Sequence, residues 1–220
     1  MQQQDILDRY RHLRGIGKRH HSAALKYLAR PAILERARHL GLSYGGTLVA
    51  ESEEEMTLVF DLAVHTARPG RSRAIDRYAR AAALRPGSDE AHALEALCGA
   101  RFSIWRILPR HDVVGLVVED LLRDSEAWLV DEALTVSAPP GLTFAGRLYW
   151  PGDFAMSCGV VVPVDAELME EALLEGMSWV RHADPEAVAD DPRFAMVVYR
   201  TALIQGVMDS VEFLETASAA

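Results

Sequence analysis

The spacing of apolar residues is helical over the first hundred positions and changes to short alternating runs after Arg101. Apolar residues every three or four positions are typical of amphipathic helices, and a period of two is typical of strands. Helical spacing returns after Asp165. The pattern predicts an α+β fold with N-terminal helices over 1–100, a small five-stranded antiparallel barrel or curled sheet over 101–163, and C-terminal helices over 164–220. We expect the three parts to form one compact domain.

Two glycines predict a break near the N-terminus. An apolar stripe over 2–14 meets Gly15 and Gly17, which are poor helix formers. Ser22 is then a candidate N-cap for a second helix. The sequence therefore predicts several short helices over 1–41.

A central helix is predicted from the acidic run at 51–55 to about Thr66. Negative charge in the first turn is favoured by the helix dipole. The helix is apolar on nearly all sides, so we expect neighbouring elements to cover most of its surface.

The alternating region predicts the two faces of the sheet. Its strands are expected at 113–118 and 127–131 among others, and the turn Trp150-Pro151-Gly152-Asp153 predicts a hairpin. Along the first strand, one face carries Phe102, Ile104 and Leu108 and the other carries Ser103, Trp105 and Ile107.

A long amphipathic stripe predicts the last helix. Asp165 is expected to cap a helix that ends near Gly176, and Pro192 to begin a longer one whose stripe includes Val211 and Leu214. This last helix either packs across the N-terminal helices or supplies a homodimer interface.

Composition indicates an ordinary globular protein. No apolar run has the length of a membrane span, so we expect no membrane association, and the polar start of the chain does not resemble a secretory signal. We therefore expect a cytoplasmic location. Cys98 and Cys158 are expected to be buried free thiols, since they lie in no Cys-x-x-Cys or Cys/His motif.

Charge is unevenly distributed along the chain. Residues 1–40 carry a net charge of +6, although the whole chain carries −9. Such a segment either contacts nucleic acid or folds back onto the acidic remainder. Candidate nucleic-acid contacts are Arg11, Arg14, Lys18, Arg19 and Lys26.

One pair of residues on the central helix has a spacing that suits a metal. Asp61 and His65 are four positions apart and share a helix face. They make a metal-dependent hydrolase an alternative, although such a pair is commonly a surface hydrogen bond. Ser157, Cys158 and Gly159 offer a nucleophile, but they lack a Gly-x-Ser-x-Gly elbow and precede an apolar strand.

The region between Glu95 and Trp150 resembles a group of uncharacterised bacterial proteins in which a helical region leads into a small β-unit. The resemblance supports the fold and implies no activity. Some of those proteins carry a cysteine-rich zinc motif elsewhere, which this chain lacks. The matching positions are Phe102, Trp105, Asp120, Leu121, Leu122, Gly141, Arg147 and Leu148.

The sequence contains no established catalytic or cofactor motif. We therefore expect a non-enzymatic interaction or regulatory module with a protein partner and no cofactor. Nucleic-acid binding and metal-dependent hydrolysis are the two alternatives.

Overall fold

The computed structural model describes residues 2–180 and 184–210 and has the predicted α+β architecture. The helices are α1 (Gln3–Leu25), α2 (Arg30–His39), α3 (Glu53–His65), α4 (Ala74–Ala81), α5 (Asp89–Cys98), α6 (Glu132–Ser137), α7 (Ala166–Met177), α8 (Pro185–Asp190) and α9 (Phe194–Gln205), followed by a 3-10 helix at Val207–Ser210. The strands are β1 (Ser43–Tyr44), β2 (Thr47–Leu48), β3 (Arg101–Arg110), β4 (Leu116–Asp120), β5 (Ser125–Leu129), β6 (Thr143–Tyr149), β7 (Met156–Ser157) and β8 (Val162–Pro163).

The first helix is unbroken, so the predicted break at Gly15 and Gly17 and the predicted helix start at Ser22 are wrong. Gly17 lies where α1 crosses Tyr149, and a Cβ at this position would lie 2.6 Å from Tyr149 Oη. Glycine is therefore needed there for close packing. Burial of one face of α1 offsets the helix-propensity cost of about 1 kcal/mol for each glycine.

The main sheet is antiparallel and curled. Among the described residues its strand order is β5-β4-β3-β6-β7, and β8 also pairs with β6. Ala155, just before β7, donates its N–H to the carbonyl of Trp128 and accepts from the N–H of Val130, so this segment meets the end of β5. The predicted alternation is confirmed, because Phe102 packs toward the helices and Trp105 lies inside the curl.

Two predicted strand boundaries are shifted. β4 begins after Gly115, whose φ of +84° belongs to the preceding loop. β5 ends before Asp131, which instead caps α6 by accepting from the N–H groups of Ala133 and Leu134. The carboxylate cap favours a helix start over continued pairing.

The C-terminal helices pack on the body. Asp165 caps α7, and α9 begins at Phe194, two residues after Pro192. The ring centroids of Phe102 and of Tyr199 on α9 lie 5.3 Å apart, in an edge-to-face contact. The end of the predicted stripe, Val211 and Leu214, lies outside the described residues.

The central helix α3 is covered by its neighbours, as expected. Leu58 and Leu62 are fully buried, and α3 packs against α1, α2, α4 and α9. Its last turn therefore lies beside α1. No helix within the described ranges is both long enough and apolar enough to span a bilayer.

Candidate metal centre

Three potential metal ligands from distant parts of the chain meet at one place. His21 lies near the end of α1, His65 is the last residue of α3, and Cys158 directly follows β7. The two Nε2 atoms lie 3.1 Å apart, and one ligand atom from each of the three residues lies within 4.8 Å of the others. Nitrogens bound to a tetrahedral zinc at about 2.0–2.1 Å lie roughly 3.4 Å apart. The spacing therefore suits a single metal ion.

Neighbouring histidines on α1 have different environments. His20 is buried, and its ring nitrogens lie 2.8 Å from Tyr78 Oη and 2.9 Å from the Glu90 carbonyl. Its hydrogen-bonding groups are therefore satisfied by α4 and α5. His21 is turned toward α3 and contacts His65 instead.

The three candidate ligands line a cavity of about 370 Å³ between α1, α3 and the segment after β7. This volume is in the range of small-molecule sites. Two cationic side chains, Arg14 and Lys18, also line it. The remaining polar lining comes from Ser22, Thr57, Asp61, Tyr149 and Ser157.

Burial keeps both histidines in the form that binds a metal. It lowers the pKa of His21 to about 4 and that of His65 well below its usual value. Burial also raises the pKa of the Cys158 thiol, whereas the charge of Arg147 lowers it. The same Arg147 charge lowers the pKa of each histidine. The net effect on Cys158 is a raised pKa, so a metal would have to displace the thiol proton, whereas the two imidazoles are already in the neutral ligand form.

One atom in the cluster has no hydrogen-bond partner. His65 Nδ1 is buried, and no described residue is within hydrogen-bonding reach of it. A buried polar atom without a partner is a recognised sign of a bound ion or water. His65 Nε2 lies at hydrogen-bonding distance from His21 Nε2, and Nδ1 is the ring nitrogen of His65 without a partner. The residues present therefore fit a metal ion.

Asp61 and His65, which the sequence analysis paired, have different partners. The Asp61 carboxylate accepts from Arg147 Nε at 3.0 Å and Nη2 at 3.2 Å, and from Tyr199 Oη at 3.2 Å. It still lines the cavity. Asp61 therefore anchors Arg147, and His65 belongs to the cluster with His21 and Cys158.

The five candidate nucleic-acid contacts lie in three different places. Arg11 donates to Glu132 at 2.6 Å, which ties α1 to α6. Arg14 lies 3.4 Å from Ser157 Oγ at the edge of the cavity. The other three, Lys18, Arg19 and Lys26, line one shallow groove on α1.

His21 is not a predicted site residue, because it lies between the predicted break at Gly15 and Gly17 and the predicted helix start at Ser22. The apolar stripe of α1 continues through the two glycines at helical spacing, and this signal could have located His21 on a helix. The buried positions of the stripe are Ile6, Tyr10, Leu13, Ile16, Gly17, His20 and Ala24.

The expected interaction module, cytoplasmic location and homodimer stay predictions. Comparison with curated proteins gives no match, and comparison with solved structures gives none either. A family model described as a family of unknown function, DUF7986, matches residues 4–200. This fits the resemblance to uncharacterised proteins. Because the match covers most of the chain, the protein belongs to the DUF7986 family.

Proposed function

We propose that this protein is a metal-dependent hydrolase that holds Zn²⁺ through His21, His65 and Cys158. The observation that carries the proposal is the meeting of these three side chains at the wall of one cavity. Imidazole and thiolate ligands favour Zn²⁺ over Mg²⁺ or Ca²⁺, which prefer oxygen.

Three protein ligands are the number found in catalytic zinc sites, whereas structural sites use four. Zn²⁺ with an open fourth position acidifies a bound water at neutral pH and polarises a carbonyl or phosphoryl oxygen. The cavity beside the cluster offers room for a substrate.

The charged lining of the cavity supports an anionic substrate. Arg14 approaches Asp131 only to 3.9 Å, and Lys18 has no ion-pair partner within the described part of the chain. Lys18 is thus available to orient a carboxylate or a phosphate group, and Arg14 adds positive charge at the edge of the cavity while it keeps its long contacts with Asp131 and Ser157.

The first experiment is to measure metal content. Purified protein is expected to hold about one Zn²⁺ per chain, and His21→Gln and His65→Gln variants are expected to lose it. His92→Gln, at an exposed position on α5, is the matched control. Hydrolysis of carboxylic and phosphoric esters by the zinc-loaded protein is then compared between these variants.

Two results would contradict the proposal. Wild-type protein that takes up no stoichiometric Zn²⁺, Co²⁺, Mn²⁺ or Fe²⁺ would exclude the metal site. Stoichiometric metal without turnover of any ester would exclude the hydrolase and leave a metal-binding protein.

Nucleic-acid binding is a second candidate, supported by the groove of Lys18, Arg19 and Lys26. Basic side chains that share one groove suit a phosphate backbone. Arg19 reaches a carboxylate, that of Glu90, only at 4.0 Å.

Fluorescence anisotropy with mixed-sequence DNA and RNA at low salt tests this candidate. The double variant Lys18→Glu and Arg19→Glu is expected to abolish binding, and Arg85→Glu is expected to leave it unchanged. Undetectable binding by the wild type, or equal binding by all variants, would refute it.

A further inference from the structure

We infer that a second cleft, formed by α2 and the segment joining α3 to α4, binds a small organic phosphate of the nucleotide class. The cleft has a volume of about 770 Å³. None of its lining residues lines the metal cavity. It contains five arginines, namely Arg36, Arg38, Arg68, Arg71 and Arg77.

The cleft has an excess of positive charge, because among the described residues Glu35 is the only acidic one that lines it. That carboxylate accepts from Arg68 at 2.7 Å. Arg77 donates to the backbone carbonyls of Ser72 and Tyr27. Within the described part of the chain, the remaining three arginines have no carboxylate partner.

Arg36 is the most informative of these arginines. It is half-buried on α2, and burial lowers its pKa. No described residue accepts a hydrogen bond from its guanidinium group. The nearby carboxylate of Glu35 raises the pKa of Arg36 but is already hydrogen-bonded to Arg68, so a bound anion would offset the remaining cost of removing the Arg36 charge from water. The planar guanidinium suits a phosphate, which it binds through two parallel hydrogen bonds.

The wall of the cleft indicates what accompanies the phosphate. Apolar side chains line it beside the arginines, so an organic group can pack there while the phosphates meet the guanidinium groups. A concave cleft of this size fits a small molecule better than a polymer backbone. The apolar lining includes Leu28, Ala29, Ala32, Leu34, Ala63 and Ala67.

Isothermal titration with ATP, pyrophosphate and adenosine tests the inference, with EDTA present to remove metal. ATP is expected to bind, pyrophosphate to bind at least tenfold more weakly, and adenosine not to bind. Arg36→Gln and Arg71→Gln are each expected to weaken ATP binding about tenfold or more. Arg85→Gln, outside the cleft, is expected to bind like the wild type.

Arg71 is exposed on a loop, so its replacement keeps the test valid even if the Arg36 variant unfolds. The inference is overturned if ATP does not bind at millimolar concentration in low salt. It is also overturned if Arg71→Gln binds ATP like Arg85→Gln, or if a single-stranded oligonucleotide binds at the cleft and ATP does not. Because the metal is chelated, none of these results depends on the proposed hydrolase.

Discussion

Arg147 on β6 and Asp61 on α3 form a buried ion pair that joins the sheet to the central helix. Their side chains are only 7% and 10% exposed, and two guanidinium nitrogens of Arg147 donate to the two carboxylate oxygens. Tyr199 from α9 donates to the same carboxylate. Three parts of the fold therefore meet at this carboxylate, beside the candidate metal centre.

Replacing Arg147 by Met leaves a buried carboxylate without its partner. We expect the free energy of unfolding to fall by about 3–5 kcal/mol, measured by urea denaturation. Arg106→Gln, which breaks the exposed pair with Glu119, is expected to cost no more than about 1 kcal/mol. Similar losses in the two variants would contradict the prediction.

The two glycines of α1 are expected to respond in opposite directions to replacement by Ala. At Gly17 the new methyl group would overlap Tyr149 Oη, so we expect a loss of about 1–3 kcal/mol. At Gly15 the nearest atom is the end of the Arg19 side chain at 3.8 Å, so we expect a gain of about 0.5–1 kcal/mol from helix propensity. Thermal denaturation measures both.

Tyr149→Phe provides the control for Gly17, because it removes the overlapping oxygen. The double variant is expected to recover part of the loss caused by Gly17→Ala. If Gly17→Ala is as stable as Gly15→Ala, the close packing of α1 on Tyr149 is not a constraint.

These glycines also show why sequence patterns gave the architecture but not the candidate site. Periodicity and turn residues report local preference, and they were sufficient for the α+β order of the chain, the curled sheet and the alternation at Phe102 and Trp105, but not for the continuity of α1. Tertiary packing on Tyr149 overrides the local preference at Gly17, and no local pattern contains this information. To predict that His21 lies beside His65 and Cys158, one must know the path of α1 across the sheet.

Acid is expected to weaken the junction between α1 and α5. The hydrogen bond from Arg9 is the main cause that lowers the pKa of Asp89 to about 2, and His12 adds to it. A carboxyl with a depressed folded-state pKa contributes stability above its unfolded value, about 3.9, and loses it as the pH falls toward 2. We expect unfolding free energy to decrease over this range.

The comparison is between wild type and Asp89→Asn in urea at pH 5 and pH 2.5. The variant is expected to have a lower free energy of unfolding than the wild type at pH 5. The difference in unfolding free energy between the two proteins is expected to be smaller at pH 2.5. A difference that does not change with pH would mean that the ionised carboxylate does not contribute to stability.

Cobalt substitution is expected to reveal the thiolate ligand. Co²⁺ bound at the candidate centre should give a thiolate-to-metal charge-transfer band in the near ultraviolet. Cys158→Ser is expected to abolish this band while weaker binding through the two histidines continues. Cys98→Ser, which changes the other free cysteine, is expected to retain the band. Loss of the charge-transfer band in Cys98→Ser would mean that the metal binds at Cys98 and not at the candidate centre.

The ligands of the candidate centre enter the chain in a fixed order during synthesis. His21 and His65 leave the ribosome long before Cys158. The position of Cys158 also depends on β6, since the Cys158 N–H donates to the Arg147 carbonyl at 2.9 Å. A nascent chain that ends before β7 can therefore offer a metal only two imidazoles. Contacts between segments so far apart in sequence are slow to form, because the entropy of loop closure must be overcome first. Full-affinity binding of the metal would then require a chain that has passed β7, and shorter chains would hold it only weakly through the two histidines.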